Sequence, residues 1–393
     1  DIIQNSNFKV LNLRIGKWCL MNAPKLRFKE FNDEWSTENL SKVVTFSKGN
    51  SLSKSDLDES GPYPCILYGE LYTKYHEVIR KVFSKTNHNS GNVVKSKYGD
   101  ILIPASGETP IDISTASCLL LDNVLLGGDI NILSPKNCDG RFISYVISNN
   151  KRKSIARVAQ GHSIVHLYSE NLKKIKLDIP SLKEQKKIAD MLELLDKKIE
   201  LQIKKIEALK LFKKGLVTIL FNNLKVFKKY KLGALCNITT GKLDANAMRE
   251  NGKYRFYTCA KDYSFIDSYA FDTEALLISG NGAYVGYIHY YKGKFNAYQR
   301  TYVLNNFTQN VQFIKCYLEQ NLSKRINSEK KEGNTPYIVL STLSDMIIKI
   351  PNKEEQIKIS NIINYYNSKI ELENKKLVKL YELKKGFMQS MFV

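Results

Sequence analysis

The sequence predicts an α+β protein: two β-rich globular domains separated by a pair of long antiparallel coiled-coil helices, built as a pseudo-two-fold internal repeat. Three observations carry this. Residues 180–221 recur at 351–392, shifted by 171 positions, with 16 of 42 positions identical and no gap. Each copy has a single apolar stripe stepping by three and four residues, which is helical spacing. The stretches between the copies are rich in Ile, Val, Tyr and Phe and are broken by Gly-Asn, Asn-Gly and Gly-Gly pairs, the signature of short strands and turns.

Taken in order, residues 1–23 read as an N-terminal extension. They are apolar but interrupted by Arg14 and Lys17, a poor signal peptide. Met21 stands just before the recognisable domain, so residues 1–20 are expected to be a dispensable upstream extension. Residues 24–178 form the first β-rich domain, with polar stretches at Leu52–Gly61 and Lys85–Lys97 and a helix near Arg141–Asn149. Residues 179–226 form the central helix. Residues 227–349 form the second domain, where Ala275–Tyr291 reads as two strands around a Gly280-Asn281-Gly282 turn and Val311–Asn321 as a helix. Residues 350–393 form the last helix. The domains themselves match weakly: Leu40–Gly49 with Leu232–Gly241, Ile101–Gly107 with Ala275–Gly280, and Arg141–Tyr145 with Gln312–Cys316, the last at the same offset of 171. A frame used twice with different fillings suits one task done twice on two different objects.

Each helix opens after a proline, Pro180 or Pro351, with Glu184 or Glu354-Glu355 in the first turn, where the helix dipole favours negative charge. At 1.5 Å per residue, about 40 residues make a rod of about 60 Å. A rod that long with one apolar stripe needs a partner along its length. A single copy could be an ordinary amphipathic core helix; the duplication points to the other copy as the partner. The pairing positions are Ile188, Leu192, Leu195, Ile199, Ile206 and Leu209 in the first helix, and Ile359, Ile363, Tyr366, Ile370, Leu377 and Leu380 in the second.

The chain holds 60 Lys+Arg against 39 Asp+Glu, a net charge of +21, so a polyanion is the expected partner and nucleic acid the default one. Tyrosines beside basic residues, as in Lys253-Tyr254-Arg255-Phe256-Tyr257 and Tyr298-Gln299-Arg300, suit phosphate and base contacts; structural tyrosines of β domains look the same. Seven scattered cysteines without a Cys-x-x-Cys pair read as free thiols of a reducing cytoplasm. No apolar run reaches membrane length.

No catalytic centre emerges. The Asn/Asp-Pro-Pro-Tyr/Phe signature of adenine methyltransferases and the phosphate-binding P-loop are both absent from the sequence. The Gly280–Gly286 glycines are spaced one residue too long for a dinucleotide loop. His162 and His166 lack further plausible metal ligands, so no metal is expected.

Pro-x3-Glu-Gln-x2-Ile, then Ile-Glu-Leu, then Lys-Lys-Gly and a closing Phe, occurring twice after β-rich domains, resembles the specificity (S) subunit of Type I restriction-modification enzymes. Leu26-Arg27-Phe28-x2-Phe31-x3-Trp35 and Phe295–Tyr302 resemble the same family, over residues 24–393 in all. The resemblance implies a non-catalytic subunit with two target-recognition domains, each reading half of a split sequence in double-stranded DNA, while the helices set the gap. It implies two modification (adenine methyltransferase) subunits, which bind S-adenosylmethionine, and restriction subunits working with ATP and Mg; this chain binds no cofactor itself. The expected base readers sit on matched loops: Lys48, Asn50, Ser51, Lys54, Tyr68, Lys74, Tyr75, Ser106, Gln160 and His162 in the first domain, and Thr240, Lys242, Asn246, Tyr257, Lys261, Asn281, Tyr298, Gln299, Arg300 and Asn334 in the second. Each could equally be a solvated turn residue. The rival reading is a coiled-coil scaffold whose β domains bind protein ligands.

Overall fold

The structure, a computed structural model, describes residues 13–15, 23–88, 92–161, 163–329 and 337–393. Expectations for residues 1–12 and 16–22, Met21 included, and for His162 and Asn334 lie outside the described residues. The strand Leu13–Ile15 pairs antiparallel with Leu26–Phe28. The chain forms two compact units: unit 1 is residues 1–203 with 376–393, and unit 2 is residues 204–375. Each unit therefore holds a globule and a part of both long helices.

The long helices are Leu182–Asn222 and Lys353–Ser390. In unit 1, Ile188, Leu192, Leu195 and Ile199 share a core with Phe387 and Met388, with Leu377, Leu380 and Leu383 packed against it. In unit 2, Val217 and Phe221 share a core with Ile359 and Ile363. Lys205 lies 3.0 Å from Glu373, and the Phe212 and Tyr366 rings are 5.3 Å apart. Numbers that rise along one helix fall along the other, so the helices run antiparallel. Ile206 is buried, while Leu209, Tyr366, Ile370, Leu377 and Leu380 are half-buried at the margin of the stripe.

The repeated Glu-Gln motif has a mechanical explanation. The Gln185 side chain folds back, its Nε2 donating to the Pro180 carbonyl at 2.8 Å while its Oε1 accepts from the Asp139 amide at 2.9 Å. Gln356 does the same 171 residues later, donating to Pro351 at 2.9 Å and accepting from Asn310 at 3.1 Å. Asp139 and Asn310 in turn cap the helices that follow them, accepting from Phe142 and Phe313 amides respectively. Each glutamine is almost fully buried, so its amide must be satisfied internally. It locks the start of a long helix to its globule.

The Leu26–Trp35 motif belongs to this framework. Arg27 grips Glu184 with two parallel bonds of 2.7 and 2.8 Å, both residues buried, and Trp35 packs edge-on against Phe142.

Both globules share a four-stranded antiparallel core within their main sheets. Unit 1 orders its strands Val44–Lys48, Ile130–Pro135, Asp100–Pro104, Ser117–Leu119 and Val78–Ile79. Unit 2 orders Asn237–Thr240, Thr301–Asn305, Phe271–Ser279, Ile288–Ala297, Tyr254–Tyr257 and Ser264–Ile266. The first four strands of each are antiparallel neighbours. The strand Ile288–Ala297 runs unbroken for 10 residues; at the offset of 171 its equivalent splits into Ser117–Leu119 and Leu125–Leu126, which serve two separate sheets. Leu125–Leu126 thus joins Tyr63–Ile66 and Ser84–Thr86 in a separate three-stranded sheet of unit 1, which has no counterpart among the described residues of unit 2.

Two expected elements are present with a greater extent than the sequence suggests. The helix expected near Val311–Asn321 is present and runs on to Glu329, since Leu322 and Ile326 continue its buried face. The two strands expected around Gly280–Gly282 do pair antiparallel, but the turn between them is longer than those three residues. The strands stop at Ser279 and resume at Ile288, and the connection curls over Gly282 and Gly286, both at positive φ, with the Gly286 amide donating to the Ser279 carbonyl.

Candidate nucleic-acid interface

In unit 1 the loops converge at one end of the five-stranded sheet. The strand Val44–Lys48 exits there into Gly49, whose amide donates to Ile130, while a Cβ on Gly49 would overlap the Gly127 carbonyl. Ala105 bonds Asp129, Ser106 Oγ donates to Asp129 at 3.0 Å, and Ser106 pairs with His166, which bridges to Gln160. The corresponding end in unit 2 repeats the construction. Gly241 donates to the Thr301 carbonyl and closes against the Ala297 carbonyl, Gly280 donates to Arg300, and Gln299 donates to Leu243. The glycines are required because backbone meets backbone with no room for a side chain.

This end collects Lys48, Asn50, Ser51, Ser106 and Gln160 in unit 1, and Thr240, Asn281, Tyr298, Gln299 and Arg300 in unit 2. Lys48, Ser51, Lys54, Tyr68, Gln160, Thr240, Lys242, Asn246, Lys261, Gln299 and Arg300 are exposed, and Asn281 and Tyr298 half-exposed. Three expected readers, Ser106, Tyr75 and Tyr257, are buried inside the fold, and two exposed ones, Asn50 and Lys74, are tied to neighbours. Ser106 is buried on Asp129, and Tyr75 is buried, stacked on Phe83, with its hydroxyl accepting from the Phe83 amide. Burial pushes the Tyr75 phenol up to about 12, so it stays neutral. Tyr257 is buried under Tyr263, His289, Tyr291 and Phe295. The exposed amide of Asn50 bonds the Asn92 carbonyl and the Val94 amide, staking down the neighbouring loop. Lys74 is tied at 2.7 Å to the buried carboxylate of Glu70.

Arg255, part of the basic-tyrosine run Lys253–Tyr257, is not among the expected base readers. Its guanidinium lies 4.3 Å from the Tyr263 ring centre and 4.5 Å from that of Tyr291. The alternation of Arg255 with Tyr257, and of His289 with Tyr291, places these four on one sheet face and was the available signal.

Among the described residues no group of three or more His, Cys, Asp and Glu could hold a metal ion, and no helix is long and apolar enough to cross a membrane. The described cysteines are free thiols.

Comparison with known proteins agrees with this picture. The family model described as the Type I restriction modification DNA specificity domain matches residues 32–211 and 225–382. The Type I restriction enzyme EcoDI specificity subunit of Escherichia coli is 37% identical over 165 residues, which is 42% of this chain and 36% of that protein. The match thus spans about a third of that relative's length. The crystal structure of a Type-I restriction-modification system S subunit from M. genitalium superposes with a TM-score of 0.67 at 20% identity, covering 94% of this chain and 99% of that one. A chain from a study of complex assembly and conformational transition of the type I R-M system reaches a TM-score of 0.56 at 14% identity, covering 91% and 97%. At these identities the structural likeness is one of fold.

Proposed function

Because the chain belongs to the family of the Type I restriction modification DNA specificity domain, we propose that it is the non-catalytic subunit that chooses the DNA target of a Type I restriction-modification complex. Each globule reads one half of a bipartite duplex sequence, and the antiparallel helices fix the gap between the halves. Two adenine-methylating modification subunits dock on this chain, and restriction subunits join them, in the cytoplasm. The single observation that carries the reading is the duplicated frame: one four-stranded sheet core and one glutamine lock, built twice, presenting two different sets of loops. A net charge of +21 supplies the salt-sensitive attraction to phosphates, and the loop side chains supply the choice of sequence.

The test is to co-express the chain with its modification subunits and map methylated adenines genome-wide. A split motif with a fixed gap is expected. Inserting four residues near Gln202 should change the gap and leave both half-sites as they were. A contiguous motif, or a gap indifferent to the insertion, overturns the reading.

A further inference from the structure

The six-stranded sheet of unit 2 has two unlike faces. Leu276, Ile278, Ile288 and Leu304 pack into the core with the helix Val311–Glu329. The opposite face carries Tyr257, Leu277, Phe295 and Val303 as a small cluster of its own. Above that cluster lies Arg255, with the Tyr263 and Tyr291 rings within 4.5 Å of its guanidinium and the Tyr257 hydroxyl accepting a long bond of 3.4 Å. By strand register, Pro64 stands in unit 1 where unit 2 has Arg255.

An arginine side chain has much rotamer freedom to lose, and its planar fork binds best when that freedom has already been removed. Two aromatic rings do so here through cation–π contact. Tyr257 engages one of the guanidinium's five N–H donors, and weakly; no carboxylate is bonded to the guanidinium among the described residues. The surface around it is continuous with the loop end described above. Cys259 Sγ donates to the Arg300 carbonyl at 3.3 Å, and His289 Nε2 lies 3.1 Å from the Ala260 carbonyl, so the 258–263 loop joins Arg300 at one side to Arg255 at the other. Lys261 and Tyr263 of that loop are exposed, and exposed Phe265 pairs with Arg255 from the edge strand.

We infer that Arg255 is a specificity-determining residue of unit 2, presenting a rigid two-pronged donor to a guanine edge in the major groove of duplex DNA. Guanine O6 and N7 accept such a fork together, and a rigid fork discriminates because it cannot swing to another acceptor. A phosphate contact would not require the fork to be fixed, and a lysine can make it as a point charge. The inference rests on the proposed function and adds to it the residue and the base edge.

The test uses the full chain co-purified with its modification subunits and a pool of randomised duplexes, scored by competition binding, with Arg255→Lys, Arg255→Ala and Tyr263→Ala beside the unaltered protein. Arg255→Lys keeps the charge and is expected to lose discrimination at one guanine of the unit 2 half-site by tenfold or more, with the other half-site unchanged. Tyr263→Ala, which frees the guanidinium while leaving it in place, is expected to blur the same position by a smaller factor. If Arg255→Lys keeps full discrimination, or Arg255→Ala weakens all duplexes equally, Arg255 contacts phosphate and the inference fails while the proposed function stands. Should the Arg255 variants unfold, Tyr263→Ala decides alone: unchanged discrimination overturns the inference. If the unaltered protein prefers no sequence at all, the proposed function itself has failed.

Discussion

The repeat puts Lys384 in unit 1 and Lys213 in unit 2 at the same place, and the two have opposite surroundings. Lys384 is 2.7 Å from Asp196 and 3.1 Å from Glu77, and lies 5.6 Å over the Tyr145 ring, whose hydroxyl donates to Asp196 at 2.7 Å. At the offset of 171, Tyr145 becomes Cys316 and Asp196 becomes Asn367. Unit 2 has a cavity of about 390 Å³ there, lined by Lys210, Lys213, Lys214, Cys316, Asn367 and Ile370 among others. Glu319, also in its wall, is already paired with Lys315 at 2.6 Å. One backbone frame thus tolerates either a filled ionic knot or an opening. The frame is set by what the copies share, the locking glutamines and the stripe, and the ground between is free to diverge.

Copying the unit 2 residues into unit 1 should have the most severe effect. Tyr145→Cys removes a wholly buried ring and strips Asp196 of its hydroxyl partner, so unit 1 should lose about 4 kcal/mol in chemical unfolding. The reverse copy, Cys316→Tyr, enters an existing cavity and should change unit 2 by less than about 1.5 kcal/mol. Equal costs would show that the two environments differ less than their geometry indicates.

Lys384→Met comes next. It leaves two partly buried carboxylates facing each other and should cost about 3 kcal/mol, whereas Lys213→Met should be neutral within about 0.5 kcal/mol. Burial pushes Glu77 and Asp196 the same way, yet Lys384 and Asn149 hold Glu77 below its ordinary range while burial wins at Asp196 and raises it. The knot is therefore balanced on one cation.

The glutamine locks should behave alike in both units. Gln185→Ala and Gln356→Ala each strand a buried amide on one side and a carbonyl on the other, and each should cost about 2 kcal/mol in thermal or urea unfolding. A large inequality would mean that the Arg27–Glu184 pair, present in unit 1 alone among the described residues, carries part of the load.

The sequence made the helices legible because a rod's needs are local and periodic: Ile188, Leu192, Ile359 and Ile363 announce their face by spacing, and all four are buried. The loops resisted the same reading because their side chains are committed by distant partners. Nothing near Asn50 says that its amide holds residues 92 and 94, and nothing near Tyr257 says that Phe295 and His289 cover it. Arg255 becomes conspicuous only when its strand is paired in parallel with a strand 40 residues away. Exposure, charge and loop position are weak guides wherever tertiary pairing decides which side chains remain available.

The smallest expected effect separates the units by pH. Burial holds His289 in unit 2 below its ordinary 6.5, with the Ala260 carbonyl and Asp262 opposing in part. A histidine depressed in the folded state favours folding when neutral, so its contribution is complete above about pH 6.5 and is lost as pH falls toward the folded value. Unit 2 should therefore lose stability between pH 7 and 5 by an increment that His289→Gln removes, measured as the difference between the two proteins' unfolding midpoints at each pH. The ring also packs on Tyr257 and Tyr287, so His289→Gln will lower the midpoint at every pH, and the slope of the difference is the informative quantity. A difference that stays flat across that range would mean the imidazole titrates freely, and that the aromatic face beside Arg255 is looser than its ring contacts imply.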